Sequence, residues 1–160
     1  MRLSYPRHRG RTRPNRHLVA LTAVLLAAGA LTACSGEDAP ERTVEAFLSG
    51  WHSGNLNAVG FVDATGAKVP ADEVLKEIKE LSGELATTPP TLRRQGDAKI
   101  TADTATAGFR IEWALPGDTR WAYDRQVRLT HADDGQWQVI WEPQVVQEQL
   151  ARGDRLGLRR

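Results

Sequence analysis

The sequence predicts an α+β domain, with three N-terminal helices packed on a curved antiparallel sheet of about four strands. Three observations predict it. Apolar residues recur at helical spacing as far as Leu85, the period changes from 3.6 to 2 after Pro89-Pro90, and turn signals then separate alternating runs. The 160 residues, 41% hydrophobic and 26% charged, are enough for one domain of ordinary size and too few for two.

The first helix is expected from Pro40, N-capped by Asp38 with Glu41 as its capping-box partner. Val44, Phe47, Leu48 and Trp51 give it one apolar stripe at i, i+3, i+4 and i+7, and Gly54 stops it. Asn55 is expected to cap a short second helix through Phe61 and Val62. Gly66 and Pro70 mark a loop. Asp72 then caps a third helix, with Val74, Leu75, Ile78, Leu81 and Leu85 on one face. Lys76, Glu77, Lys79, Glu80 and Glu84 read as its solvated face.

Leu92, Arg94, Gly96, Ala98 and Ile100 alternate with polar residues and predict the first long strand. Ala105, Ala107, Phe109, Ile111, Trp113 and Leu115 predict the second, and Pro116-Gly117-Asp118 the turn after it. Trp121, Tyr123, Arg125, Val127 and Leu129 predict the third. Asp133-Asp134-Gly135 is a turn of the Asp-Gly kind, and Trp137, Val139 and Trp141 form a fourth strand that Pro143 ends.

The charge is unevenly placed. Residues 1–33 hold arginines at 2, 7, 9, 11, 13 and 16 and no acid, so the net charge of +1 averages a basic leader with an acidic remainder. A nucleic-acid partner thereby loses its main support. Arg2 to Arg16 read as the positive region of an export signal, without an Arg-Arg pair, and Leu18 to Leu31 as its apolar region. Those 14 residues fall short of the roughly 20 that a membrane span needs. Leu31, Thr32 and Ala33 stand directly before Cys34, the chain's single cysteine, and resemble a bacterial lipobox. Residues 1–33 are therefore expected to be a lipoprotein signal peptide and 34–39 a tether. Lipidated Cys34 would hold the chain to the membrane on the extracytoplasmic face, two acyl chains supplying the anchoring that one cannot. One cysteine excludes an intramolecular disulfide and a Cys-rich zinc site.

Several stretches carry a family resemblance. They are Thr43-Val-Glu-Ala-Phe47-Leu48-Ser-Gly-Trp51, the pair Ile111-Glu-Trp113-Ala-Leu115 and Trp121-Ala-Tyr123, and Trp137-Gln-Val139-Ile-Trp141-Glu-Pro143. Val146, Leu150 and Gly153-Asp154-Arg-Leu156 follow, with Glu148 where the family often has proline. From Pro40 on, the chain resembles the nuclear transport factor 2-like N-terminal domain of class B penicillin-binding proteins, the MecA N-terminal type. The resemblance implies a cone-like fold over 40–143 and a C-terminal linker, 144–160, that would lead to a transpeptidase domain absent here. Truncated, split and standalone copies are alike compatible with it. It also implies a non-catalytic spacer or docking module tied to peptidoglycan synthesis and the response to β-lactams. Its partner would be a transpeptidase or another cell-wall synthesis protein.

Residue chemistry gives no enzyme. Acylation by penicillin needs Ser-x-x-Lys, and Ser4, Ser35, Ser49, Ser53 and Ser82 all lack the lysine; Lys-Thr-Gly does not occur either. Ser53-Gly54-Asn55 matches a Ser-x-Asn motif but stands alone at a helix end, where it reads as a turn and cap. An isomerase or dehydratase of the same cone would need facing acid–base groups, and Asp63, His52, His131, Tyr123 and Asp124 are the candidates. Tyr123 and Asp124 point to opposite faces of one strand. The histidines, at 8, 17, 52 and 131, have no metal-ligand spacing, and no cofactor is implied. The alternative function is a lipoprotein that binds a small apolar or glycan ligand in the cone. Trp113, Trp137 and Trp141 align with the apolar faces. Trp121, Tyr123 and Arg125 share a stripe in which an arginine would not be buried unpaired, so they are the candidate contact surface.

Overall fold

The computed structural model describes residues 39–158. The expected signal peptide, the lipobox residues Leu31, Thr32 and Ala33, the lipidation site Cys34 and the expected cap Asp38 lie outside the described residues. Among the described residues there are two α-helices and six strands: α1 (Pro40–Ser53), β1 (Gly60–Val62), β2 (Lys68–Val69), α2 (Ala71–Ser82), β3 (Thr91–Thr101), β4 (Thr104–Leu115), β5 (Thr119–His131) and β6 (Trp137–Ile140). Short 3₁₀ turns cover Gly83–Thr87 and Pro143–Val145. The six strands form one sheet in the order β2-β1-β6-β5-β4-β3. The α+β class stands, while three helices on four strands becomes two helices on six strands.

α1 forms where the stripe predicts it. Val44, Phe47, Leu48 and Trp51 are all buried, and Gly54, in the left-handed region at φ 75°, ends the helix. Its start differs from expectation. The N-cap residue is Ala39, without a side-chain cap, and Glu41 Oε1 instead accepts from the Ala98 N–H of β3 at 2.9 Å. The acid ties the helix to the sheet.

The expected second helix is a turn followed by a strand. Asn55 Oδ1 accepts from the Asn57 N–H at 3.1 Å, a local bond that competes with helix nucleation. Phe61 and Val62 then pair in parallel with Val139 and Ile140 of β6. Two adjacent apolar residues cannot distinguish buried strand from helix by period. The sheet decides: β1 covers the otherwise unpaired edge of β6, and the Trp141 N–H extends the pairing to the Val62 carbonyl at 2.8 Å. The sheet is therefore mixed rather than wholly antiparallel.

α2 starts at Ala71 with Pro70 as its N-cap residue, so Asp72 does not cap it but lies in the acidic first turn that the helix dipole favours. Val74, Ile78 and Leu81 are buried as expected, and Leu85 is buried from the following 3₁₀ turn.

The meander β3–β6 matches the four predicted strands. Ala105, Ala107, Phe109, Ile111 and Trp113 of β4 face inward opposite Leu129, Val127, Arg125, Tyr123 and Trp121 of β5. β3 breaks its predicted alternation: the register shifts between Gln95 and Lys99, Gly96 adopts φ 66°, and Ile100 ends 57% exposed. On the outer face, Arg110–Asp124, Arg120–Glu112 and Arg128–Glu142 pair at 2.8, 2.7 and 2.8 Å.

Phe47, Trp51, Phe61, Phe109 and Trp113 meet between the helices and the sheet. Phe47 touches Trp51 and Phe61 at 5.8 and 5.9 Å, and Trp51 touches Phe109 at 6.4 Å. Buried aromatics of this size dominate a small core. Trp113→Ala and Trp141→Ala are each expected to cost about 3–5 kcal/mol, a large share of a domain's stability. Arg110→Ala, on the solvated outer face, is expected to cost under about 1 kcal/mol. Urea denaturation followed by tryptophan fluorescence and circular dichroism checks both.

Candidate functional site

The site grows out of β5. Its period of two carries Trp121, Tyr123 and Arg125 onto the face that also holds Val127 and Leu129. Val127 and Leu129 are fully buried in the core. The remaining half of the face is covered by the chain's own C-terminal segment. Pro143 ends the sheet pairing and opens a 3₁₀ turn, and Val145, Val146 and Leu150 then return to the core.

Two side chains of β5 hold that segment. The Tyr123 hydroxyl donates to the Val146 carbonyl at 2.9 Å and accepts from Trp113 Nε1 at 3.0 Å. Arg125 donates from Nε and Nη2 to the Gln144 carbonyl at 3.0 and 2.6 Å, and its Nη1 lies 3.6 Å from Glu148. Gln144 in turn donates from Nε2 to the Leu150 carbonyl at 3.0 Å. Trp121 lies against Tyr123, ring centres 4.6 Å apart. Of the three residues read from sequence as an external contact surface, Tyr123 and Arg125 thus bind a segment of their own chain, and Trp121 packs on Tyr123. Arg125 does avoid unpaired burial, and what satisfies it is a backbone carbonyl. Burial raises the Tyr123 pKa above its ordinary value of 10, against smaller opposing effects of the Trp113 hydrogen bond and the Arg125 charge.

A second anchor lies on α2. Glu77 leaves the solvated face predicted for it. Its Oε2 accepts from Trp141 Nε1 at 2.7 Å, and its buried Oε1 faces Arg152 Nε at 3.4 Å without the alignment of a hydrogen bond. Beyond Arg152 the chain pairs with the helix end. The Leu156 N–H donates to the Leu81 carbonyl at 2.7 Å, and the Leu158 N–H to Glu84 Oε2 at 3.0 Å. Gly83 permits this approach: its φ is 52°, and a Cβ there would collide with the Leu156 carbonyl oxygen. The segment expected as a linker, 144–160, is docked along the domain at least as far as Leu158. Glu77, Gln144 and Arg152 escaped sequence reading, because a glutamate at a half-buried helix position looks like any surface acid. The apolar Val145, Val146 and Leu150 were the one signal available.

An open groove of about 780 Å³ runs between α2, the β1–β2 hairpin and residues 152–155. Lys68, Lys76, Arg152 and Arg155 line it together with Asp63, Glu73, Glu77, Glu80 and Asp154, so it presents no field of one sign. The acid–base candidates do not converge. Asp124 is on the outer face, 2.8 Å from Arg110. His131 lies tilted against Trp137, ring centres 4.9 Å apart, and His52 Nδ1 meets the Pro90 carbonyl at 2.9 Å. Asp63 Oδ1 accepts from the Thr65 hydroxyl, Thr65 N–H and Ala67 N–H at 2.6, 2.8 and 3.0 Å, which lowers its pKa and makes it a turn former. Among the described residues, no group of three potential ligands could hold a metal ion, and no helix is long and apolar enough to cross a membrane.

A family model, the NTF2-like N-terminal transpeptidase domain, matches residues 39–154. Among solved structures, the chain is similar to a nuclear transport factor 2 superfamily protein from Salmonella enterica serovar Typhimurium. The two are 8% identical, with a TM-score of 0.39 over 62% of this chain and 82% of that one. It is also similar to a protein of ketosteroid isomerase-like fold from Catenulispora acidiphila, solved with trimethylamine. That pair is 16% identical, with a TM-score of 0.40 over 70% and 92% of the chains. A de novo designed protein from a study of diverse pocket structures matches at 18% identity and a TM-score of 0.32, over 63% and 96%. No curated protein matches the chain.

Tyr123→Phe removes one hydroxyl and strands both the Val146 carbonyl and Trp113 Nε1. It is expected to cost about 1–3 kcal/mol and to raise amide exchange from residue 144 to 150. The native pKa of Tyr123 lies above its unfolded value. Its contribution is therefore complete below pH 10 and is lost as pH rises through the native pKa. The alkaline fall in melting temperature should be smaller in Tyr123→Phe than in the wild type.

Proposed function

Because the chain belongs to the family of NTF2-like N-terminal transpeptidase domains, we propose that it is a non-catalytic spacer and docking module at the bacterial cell surface. The domain is the N-terminal module of transpeptidase-type proteins and not their catalytic domain. In this reading residues 1–33 direct export, Cys34 carries the lipid, and residues 34–39 tether the domain to the extracytoplasmic face of the membrane. The module supports a transpeptidase or another peptidoglycan-synthesis protein, and through it the response to β-lactams.

The observation that carries the reading is how the interior is used. A ligand-binding or catalytic cone needs an enclosed pocket with converging polar groups. Here Phe47, Trp51, Phe61, Phe109 and Trp113 occupy the space between helices and sheet, while Tyr123, Arg125 and Glu77 are spent on fastening the C-terminal segment. Such an arrangement serves rigidity. The sequence lacks the Ser-x-x-Lys that penicillin acylation requires.

Two measurements test it. Cys34→Ala should shift the protein from the membrane fraction to the medium or to an uncleaved precursor, and intact-mass analysis of the wild type should find a diacylglyceryl-modified Cys34. An unmodified thiol in the membrane fraction overturns the anchor. A fluorescent penicillin should leave the chain unlabelled after denaturing electrophoresis. A covalent band overturns the non-catalytic assignment.

A further inference from the structure

A small cleft lies apart from the C-terminal segment, between the end of α1, α2 and the Pro89-Pro90 corner. Its volume is about 130 Å³, near the roughly 150 Å³ of an apolar protein cavity that takes up benzene. Trp51, Leu75, Ile78 and Trp113 supply apolar walls, and the two prolines close one side.

The walls are pre-formed. Trp51 is packed against Phe47 and Phe109. Trp113 Nε1 is committed to Tyr123, and the Ser82 hydroxyl donates to the Ile78 carbonyl at 2.6 Å. His52 Nδ1 faces the Pro90 carbonyl, so that nitrogen carries its proton and ties α1 to the proline corner. Little ordering would remain for a ligand to impose.

Two polar groups at the cleft are unspent. Lys79 has Leu75, Lys76, Ser82 and Gly83 as its i±3 and i±4 neighbours, hence no helical carboxylate partner, and it forms no ion pair among the described residues. Lys76, one turn away, is paired with Glu80 at 3.8 Å. The Trp51 side chain is 5% exposed, and its indole N–H has no hydrogen-bond acceptor among the described residues. A positive rim and an open donor over an aromatic floor suit a flat, negatively charged acceptor.

We propose that this cleft binds a small aromatic carboxylate of about the size of benzoate. Its ring would lie against Trp51 and Trp113, and its carboxylate would face Lys79 and the Trp51 N–H. The site is separate from the spacer reading, which requires no ligand.

The test uses the full chain in lipid nanodiscs and ¹⁹F NMR of 4-fluorobenzoate, with empty nanodiscs as baseline. Wild type should broaden the fluorine line, and excess unlabelled benzoate should restore it. Lys79→Gln should weaken binding about threefold to fivefold at an unchanged melting temperature. The same substitution should leave the weaker binding of neutral 4-fluorobenzyl alcohol as it is. Ala86→Trp, at an exposed rim position, should fill the cleft and abolish binding of both probes. Should Ala86→Trp lower the melting temperature, the two-probe comparison on Lys79→Gln still decides. The proposal fails if wild type gives no benzoate-reversible broadening, or if Lys79→Gln binds both probes as wild type does.

Discussion

One phenol joins three parts of this domain. The Tyr123 hydroxyl accepts from the most deeply buried tryptophan and donates to a carbonyl of the returning C-terminal segment. It stands on β5, the strand that runs through the middle of the meander. Without it, two polar atoms in an apolar setting would lose their partner together, which costs more than the bond itself contributes. Arg125 repeats the arrangement one step along the same face: a charged side chain in an inward stripe, satisfied by the Gln144 carbonyl. The sheet therefore specifies where the segment lies through hydrogen bonds, while Val145, Val146 and Leu150 supply the burial that holds it there.

Charge is distributed to the same end. The outer face of the sheet carries cross-strand pairs between exposed side chains, each worth little individually. Glu77 differs because it is mostly buried and serves two partners, the Trp141 indole and Arg152. It links α2, the end of β6 and the outgoing segment. Removing either partner would leave a carboxylate short of compensation in a dry position, so these groups act as a unit.

What the sequence revealed depended on how local the determining interactions are. β4 and β5 were legible because twelve or more residues alternate and the inward positions, Arg125 apart, are mostly apolar or aromatic. α1 and α2 were legible from their stripes. β1 was not, since Phe61 and Val62 become a strand only because β6 offers an edge far along the chain. Glu41 satisfies every local rule for a capping box, yet its carboxylate is taken by the Ala98 N–H, 57 residues away. The stripe Trp121, Tyr123 and Arg125 reads from sequence as an external contact surface, whereas Tyr123 and Arg125 bind the chain's own backbone. That the partner would be residues 144–150 depends on a return path that no local pattern encodes.

The fastening of the segment has a consequence for reach. Free, a flexible stretch of about 14 residues would spread its ends over roughly 20 Å, and anything joined or bound beyond it would sample that range. Docked by Tyr123 and Arg125 near its start, by Glu77 midway and by the Leu81 carbonyl further on, the segment is held on a fixed path beside α2. The anchors are also of different kinds: hydrogen bonds, ion pairs and apolar burial. Salt weakens mainly the ion pairs and alkaline pH acts mainly on the phenol, so no single condition releases the whole length. A domain that serves to hold position would need that redundancy. The close approach at Gly83, open only to a residue without a side chain, shows the path fixed in the backbone as well as in the side chains.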